Sequence, residues 1–405
     1  MKSLFNIGGK INGIGVGSFT WDSATVSPDA SQVSPFPTVT STHLGMRRCL
    51  LLDNGTVNYY LHATDSTLKA NGTPSDLSGA DGMVMVEIPK FYTKRELIGT
   101  ETTWSISNQP ISGYTVHPAF VKDGVEVNYR YYSAYDACVF SNSGSNYISG
   151  LNLDNASSLL SFPNDKLSSV AGVYPMVGVS RTNFRTLASN RGAGWMLGDF
   201  WLVNAIQMLF LVEYQTFNSQ AVLGNGNVGG SYFSSSADQN DSPHTIAGAS
   251  NSLGNLSTDG SQPSAGAKPG IAYMSYRGIE NFFGNCWNWT DGFNINDRFA
   301  HVSNNPSTFD DTSLTTNGYI ALGSQMPTAN GWVTGHQNID NAFLPNGIGG
   351  SSSTYWTDFY FQNTGLRAAR FGGSAVSGLD AGSFYWALSN AVGSLSRDFG
   401  ARLAF

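Results

Sequence analysis

Four oxygen-bearing side chains lie close together in one predicted turn and have the chemistry of a hard-cation site. They are Asp291, Asn294, Asn296 and Asp297. Calcium prefers carboxylate and amide oxygens as ligands, so a calcium ion is one interpretation. The spacing does not follow an EF-hand loop, and a solvated turn without metal is the alternative. Apart from this calcium candidate, the sequence predicts no metal and no cofactor.

The cysteines are the next groups that could do chemistry. Cys49, Cys138 and Cys286 are odd in number and far apart, with no CxxC pair, so neither a disulfide framework nor a thiolate metal site is predicted. The histidines are scattered without metal-ligand spacing. GNGNVGG, at 224–230, has the letters of a dinucleotide-binding loop but follows a helical pattern instead of a strand, so we predict a plain loop.

The stretch from residue 367 to residue 405 has the spacing of half-buried strands. Its large apolar residues recur at Phe384, Trp386, Leu388, Phe399, Leu403 and Phe405. A period of two indicates one buried face. The residues between them share no size, charge or polarity, and we expect them to point outward: Tyr385, Ala387, Ser389, Ser394, Ser396 and Asp398. Outward side chains can vary without disturbing a core, although an ordinary exposed sheet face gives the same pattern.

The elements that position these groups are predicted to be mainly strands. RRCLLLDNGTVNYYLHA, from Arg47, predicts a β-hairpin around a turn at 53–55. Trp287 and Trp289 are two residues apart, so both indoles are predicted to lie on one strand face.

One helix is predicted, from about Phe200 to Phe217, with Asp199 as its N-cap. The segment is apolar almost all round, which indicates a helix buried against a sheet.

Composition indicates turn-rich β structure with a weakly charged, polar surface. Charged residues are 12% of the chain, aromatic residues are 13%, and 46 residues are glycine. Lys and Arg number 21, the net charge is −7, and no basic run occurs, so nucleic-acid binding is not predicted. No apolar run is long enough to span a bilayer, and no secretion signal is recognised, so we expect a soluble protein made in the cytoplasm.

Three blocks of the sequence resemble a known superfamily. GIENFFGNCWNW, at 278–289, resembles the ENxxGNxWEW block of the formylglycine-generating-enzyme/sulfatase-modifying superfamily, which has a C-type-lectin-like fold. RFGGS, at 370–374, and GARLAF, at 400–405, resemble that family's closing RGGSW and GFR elements. The ending AGSFYWALSNA followed by GARLAF is similar, more narrowly, to the variable region of phage tropism determinants diversified by a retroelement.

The resemblance implies an α+β fold, with a β-rich N-terminal region followed by a C-type-lectin-like domain of few helices and long irregular loops. Residues 1–45 are interpreted as an arm for virion attachment or oligomerisation, and 46–80 as a β-hairpin region. Residues 81–405 then form the lectin-like domain, with a variable region at about 370–405.

Carried over by position, the resemblance implies a receptor-binding face on a phage tail protein of the virion. Its residues are Ala375, Val376, Ser377, Leu379, Asp380, Tyr385, Ala387, Ser389, Asn390, Val392, Ser394, Ser396 and Asp398. The implied partners are a bacterial surface protein or glycan and other tail proteins, and analogy with tail fibres implies a homo-trimer.

The chain departs from the enzymes of this superfamily in two ways. They use a reactive cysteine pair late in the chain, whereas no cysteine follows Cys286, and Asn288 replaces the glutamate of WEW. We therefore expect that the protein is not an enzyme. The alternatives are a sulfatase-modifying, formylglycine-generating type of enzyme, a calcium-dependent cellular lectin, and a purely structural tail component.

Overall fold

The computed structural model describes residues 10–11, 14–23, 39–148, 153–230, 244–261 and 271–405. Most of the predicted arm at 1–45 lies outside the described residues. The helices are α1 (Ser41–Gly45), α2 (Arg181–Ser189), α3 (Phe200–Tyr214) and α4 (Ser219–Leu223). The strands are β1 (Lys10–Ile11), β2 (Ile14–Asp22), β3 (Arg47–Leu51), β4 (Val57–His62), β5 (Asp65–Lys69), β6 (Met83–Pro89), β7 (Tyr92–Ile98), β8 (Glu101–Ser107), β9 (Thr115–Val116), β10 (Val121–Lys122), β11 (Val125–Glu126), β12 (Tyr129–Ser133), β13 (Cys138–Ser141), β14 (Asn146–Ile148), β15 (Lys166–Ser168), β16 (Met196–Leu197), β17 (Thr258–Ser261), β18 (Ala272–Tyr276), β19 (Ile279–Glu280), β20 (Trp287–Asn296), β21 (Phe299–Val302), β22 (Ile320–Leu322), β23 (Gly331–His336), β24 (Pro345–Ile348), β25 (Phe359–Gln362), β26 (Leu366–Phe371), β27 (Trp386–Asn390), β28 (Phe399–Ala401) and β29 (Leu403–Ala404).

The fold is mostly β, and the prediction of an α+β fold was wrong. Strands hold 37% of the residues and helices 14%, and the strands form several sheets. The cause is the distribution of turn residues: glycine, asparagine and serine interrupt the chain every few positions, which favours short strands joined by tight turns.

A seven-stranded sheet joins distant parts of the chain, in the order β16-β29-β12-β6-β3-β4-β5. The predicted hairpin forms from β3 and β4, with Cys49 opposite Tyr60. β3 also pairs with β6, so the predicted boundary at 80/81 falls within one sheet. β29 pairs with both β12 and β16, which incorporates the C-terminal strand into the same sheet.

A nine-stranded sheet carries the C-terminal segment between two hydrophobic clusters. Its strand order is β22-β21-β20-β26-β27-β25-β23-β24, and β28 pairs with β20 off this path. Trp386 and Leu388 belong to the cluster that surrounds α3, whereas Tyr385 and Ala387 belong to a second cluster that includes Phe184 of α2. β27 therefore has hydrophobic packing on both of its faces.

The helix α3 confirms the prediction from the sequence. Asp199 accepts a hydrogen bond from the backbone N–H of Leu202 at 3.0 Å, which caps the first turn, and it also pairs with Arg130 at 2.5 Å. The helix ends before Gln215, whose φ of 59° is left-handed. Within the described ranges, no helix combines the length and the apolar character needed to cross a membrane.

The two indoles of β20 lie on one face, as predicted, because Trp287 and Trp289 both pack in the second cluster. The turn before them depends on Asn285, which has a φ of 61°. Its side-chain oxygen accepts a hydrogen bond from the backbone N–H of Thr245 at 2.8 Å. Asparagine tolerates this left-handed conformation and bonds nearby backbone, so it suits the position.

Candidate functional site

The predicted receptor-binding residues lie on β27 and on the two segments that flank it. β26 and β27 are antiparallel, with Phe371 opposite Trp386 and Ala368 opposite Asn390. The segment 372–385 therefore enters one end of β27, and the segment 391–398 leaves its other end. The residues predicted from the sequence consequently do not share a single strand face.

Four of the predicted receptor-binding residues are buried: Ala375, Tyr385, Ala387 and Asp398. The expectation that Tyr385, Ala387 and Asp398 point outward was therefore wrong. Tyr385 is 1% exposed and Ala387 is 0% exposed. Both residues belong to the second hydrophobic cluster, which covers the face of β27 that carries Ala387. The small size of Ala387 therefore reflects close packing and not freedom to vary.

The other predicted residues are at least partly exposed and form two groups. The upstream loop holds Val376, Ser377, Leu379 and Asp380. The residues from Ser389 to Ser396, which we call the terminal loop, hold Ser389, Asn390, Val392, Ser394 and Ser396. The terminal loop begins with the last two residues of β27 and leads to β28, so both of its ends are held by the sheet while its middle reaches solvent.

Beside the terminal loop lies a group of half-buried aromatic side chains, Trp332, Phe359 and Phe361, which we call the aromatic face. Phe359 lies opposite Trp332 in the sheet, and their ring centroids are 5.2 Å apart. Phe361 lies opposite Ala387 in the parallel pair β25–β27. The ring of Tyr385 is 6.3 Å from the rings of both Phe359 and Phe361, and it forms the floor of the face.

Arg370 of β26 packs on the rings of Trp287 and Phe399 and also contacts the terminal loop. Its guanidinium carbon lies 3.7 Å from the ring centroid of Phe399 and 4.7 Å from that of Trp287. Nη2 donates a hydrogen bond to Oδ1 of Asn390 at 2.5 Å. Since a stacked, buried guanidinium is held in one geometry, this contact fixes the start of the terminal loop.

The sequence interpretation missed the aromatic face, although a signal for it was present. The run DFYFQ places Phe359 and Phe361 at the strand period of two, with Tyr360 pointing to the opposite face. The run does not show which strand lies next to it. In the structure β25 pairs with β27, and this pairing places the aromatic face next to the terminal loop.

A buried carboxyl group, that of Asp358, anchors the end of the upstream loop. Oδ2 of Asp358 accepts a hydrogen bond from the backbone N–H of Phe384 at 2.6 Å. Burial, with a smaller contribution from the nearby Asp380, raises the pKa of Asp358 to about 8, although hydrogen bonds from Phe384 and Thr357 oppose the shift. Gly382 permits this approach, because a Cβ atom there would lie 2.2 Å from Oδ1 of Asp358.

Arginine side chains bind two of the four residues that were considered as calcium ligands. Arg185 donates from Nε and Nη2 to the two carboxylate oxygens of Asp291, each at 2.7 Å. Arg181 donates to Oδ1 of Asn294 at 2.6 Å. Guanidinium groups therefore supply the positive charge that a cation would have supplied.

The other two calcium candidates lie further along β20 and in the turn after it. Asn296 pairs in the sheet with Leu366, and Asp297 accepts a hydrogen bond from the backbone N–H of Gly365 at 2.7 Å. Among the described residues, no cluster of three or more His, Cys, Asp or Glu side chains could hold a metal ion. The four candidate oxygens do not converge on one point.

All three cysteines are buried and unpaired with one another. Burial raises the pKa of Cys138 to about 12, and it also raises the pKa values of Cys49 and Cys286. A reactive cysteine needs an exposed thiolate, so these thiols lack the properties of a redox site.

Two positions on the same side of β27 are expected to tolerate substitution very differently. Ala387→Tyr should destabilise the protein by about 1–3 kcal/mol or more, because the added ring has no space in the second cluster. Ser389→Tyr should change stability by less than about 0.5 kcal/mol, because Ser389 is half-exposed. Thermal and urea denaturation of the two variants measures the difference, and equal stabilities would contradict the burial pattern.

Comparisons with known proteins give little further information. No family model matches this chain, and no curated protein matches it. A solved structure named Major Tropism Determinant U1 Variant is similar, with 13% sequence identity and a TM-score of 0.28, over 91% of this chain and 73% of that chain. A likeness at this level carries no argument about function.

Proposed function

We propose that this chain is a receptor-binding protein of a phage or prophage tail, and that it contacts a bacterial surface protein or glycan through the terminal loop and the aromatic face. The observation that carries the proposal is their combination: a partly exposed loop that holds three serines and an asparagine among apolar residues, beside half-buried aromatic rings. Aromatic and small polar side chains are the usual components of adaptable binding surfaces.

The buried framework and the partly exposed loop residues are separate, and this separation would let the binding specificity change without loss of the fold. Arg370 and the strands β27 and β28 fix the ends of the terminal loop. Val392 packs against the second hydrophobic cluster, so the positions free to change are the half-exposed serines of the loop, Ser389, Ser394 and Ser396. We propose that retroelement-directed diversification acts on the exposed members of the predicted set. Ala375, Tyr385, Ala387 and Asp398 are then framework residues.

The proposal has consequences for assembly. The N-terminal part attaches the protein to other tail proteins of the virion, and the C-terminal part, with a C-type-lectin-like domain, faces the host cell. A homo-trimer, present in several copies on each particle, gives avidity to a contact that is weak in a single subunit.

The alternatives have less support from the geometry. A formylglycine-generating type of enzyme needs a reactive cysteine pair, and the buried thiols do not supply one. A calcium-dependent lectin needs converging oxygen ligands, and Asp291 is already paired with Arg185. The hypothesis of a purely structural tail component is distinguished from that of a receptor-binding protein by the adsorption experiment below.

The test is adsorption of the purified, fluorescently labelled protein to a panel of bacterial strains. Ser394→Lys, in the terminal loop, should weaken adsorption to a bound strain by about tenfold or more, since a charge in a binding surface costs at least about 1.4 kcal/mol. Ser112→Lys is the control, because Ser112 is an exposed serine in the turn between β8 and β9. Equal adsorption by both variants would indicate a structural tail component.

A further inference from the structure

A cavity opens on the surface away from the residues of the terminal loop and the aromatic face, and none of those residues lines it. It has a volume of about 570 Å³, which is within the range of small-molecule sites. It lies between the β3–β4 turn, the loop before β6, the β13–β14 hairpin and β15. We call it the side cleft, and its principal lining residues are Asp53, Gly79, Phe140, Asn142, Tyr147 and Lys166.

One wall of the side cleft is aromatic and held in place. Phe140 and Tyr147 lie opposite each other in the β13–β14 pair, and their rings meet edge to face with centroids 5.1 Å apart. The hydroxyl of Tyr147 lies over the backbone of Gly79, where a Cβ atom would approach it to 2.0 Å. Both rings are half-buried, so each keeps a surface that a ligand can cover.

The opposite wall presents a fixed carboxylate. Oδ1 of Asp53 accepts a hydrogen bond from Nη1 of Arg191 at 2.6 Å, and Oδ2 accepts one from Nζ of Lys166 at 3.3 Å. Trp195 donates from Nε1 to the backbone oxygen of Asp53 at 2.8 Å. The Asp53 side chain is nevertheless 47% exposed. A ligand would therefore meet a carboxylate that is already oriented, at little cost in conformational entropy.

The cations of the side cleft are not arranged to bind an anion. Arg191 uses its remaining donors on the protein, from Nε to the backbone oxygen of Leu167 at 2.8 Å and from Nη2 to Oγ of Ser168 at 2.6 Å. Lys166 shares the carboxylate of Asp53. A bidentate clamp on a phosphate or a carboxylate is thus absent from the lining, and the exposed oxygens of Asp53 favour a ligand that donates hydrogen bonds.

We infer that the side cleft binds an uncharged saccharide. The apolar C–H face of a sugar ring packs on Phe140 and Tyr147, and its hydroxyl groups donate to Asp53. The exposed amide of Asn142 donates one N–H to the backbone oxygen of Asn164 and has a second N–H to offer. That N–H and the ammonium group of Lys166 are the complementary donors to the ring and hydroxyl oxygens. This inference rests on the lining of the cleft alone and stands whether or not the terminal loop binds a receptor.

The experiment is saturation-transfer NMR on the full-length protein with four probes at about 10 mM, a concentration suited to millimolar affinities. Three probes are uncharged: cellotriose, mannotriose and the N-acetylglucosamine trimer. The fourth, trigalacturonate, is anionic. We expect transfer to at least one uncharged probe, with affinity reduced about fivefold or more by Phe140→Ala and by Asn142→Ala, a loss of about 1 kcal/mol. Gln325→Ala should leave the affinity unchanged, since Gln325 is also an exposed amide that donates to a backbone oxygen.

Three outcomes would overturn the inference. They are no transfer to any uncharged probe, transfer that survives both Phe140→Ala and Asn142→Ala, and binding of trigalacturonate alone. Phe140 and Asn142 are at the surface, and circular dichroism of each variant checks that the fold is intact. Because neither residue belongs to the terminal loop or the aromatic face, adsorption to bacteria and saccharide binding can fail independently.

Discussion

Arg402→Met is expected to destabilise the protein by about 3–5 kcal/mol, the cost of leaving a buried charge without its partner. Arg402 is 1% exposed, and its Nη2 lies 2.8 Å from Oδ1 of the buried Asp136. Its guanidinium also donates to the backbone oxygens of Ser133, Glu280 and Asn281. One side chain therefore joins the C-terminal strand to β12 and to the turn before β20.

The matched control is Arg397→Met, a substitution of the same kind in the same segment. Arg397 pairs with Asp154 at 2.7 Å, but the Asp154 side chain is 60% exposed, so this pair should contribute no more than about 1 kcal/mol. Urea denaturation of both variants measures the two losses. Adding Asp136→Asn to Arg402→Met should recover part of the stability, because it removes the unpaired charge. Similar losses for the two arginines would contradict the assignment.

Raising the pH from 5 to 9 is expected to destabilise the protein through Asp358. Burial raises the folded-state pKa of this carboxyl group from 3.8 to about 8. Its protonated form is therefore favoured by folding, and the contribution to stability is complete below about pH 4, declines as the pH rises, and is lost above about pH 8. Each unit of difference between the folded and unfolded pKa values corresponds to about 1.4 kcal/mol, so the total contribution of Asp358 to the free energy of unfolding is several kcal/mol.

The substitution Asp358→Asn isolates this effect. Its amide oxygen can still accept the hydrogen bond from the N–H of Phe384, but it carries no charge, so the variant should match the wild type at pH 4 and exceed its stability at pH 9. Asp76→Asn is the control, because hydrogen bonds from Ser78 lower the pKa of this half-exposed carboxyl group and it does not titrate in that range. An unchanged pH slope in Asp358→Asn would refute the role of Asp358.

The comparison of Asp358→Asn with the wild type also cancels the opposing effect of buried histidines. Burial lowers the pKa values of His117 and His336 to about 3 and about 4. Their neutral forms are favoured by folding, so this contribution is complete above about pH 6.5 and is lost as the pH falls. Both proteins contain the same histidines, and the difference between them reports on Asp358 alone.

Local signals in the sequence predicted the elements that depend on local interactions. The cap at Asp199 and the apolar run after it are sufficient to define α3, and the turn at 53–55 defines the hairpin of β3 and β4. The spacing of Trp287 and Trp289 likewise gave the correct face of β20. Each of these predictions uses residues within about one turn or one strand of one another.

The orientation of β27 could not be derived in the same way. Alternation of large and small residues is the same whether the small residues face solvent or a second hydrophobic cluster. The cluster over Tyr385 and Ala387 includes residues of α2 and β20, and its position depends on the whole arrangement of sheets. The pairing of Arg185 with Asp291 was equally hidden, because 106 positions separate the two residues.

The seven-stranded sheet has a consequence for the kinetics of folding. Its pairing of β12 with β29, together with the contact of Arg130 with the backbone oxygen of Phe405, spans 275 positions of the chain. Closing so long a loop costs entropy before any contact compensates for it, so folding should be slow. If this pairing forms after the rate-limiting step of folding, it must break before the protein can unfold, and it therefore slows unfolding. The folded protein is then maintained by a high barrier to unfolding as well as by its equilibrium stability.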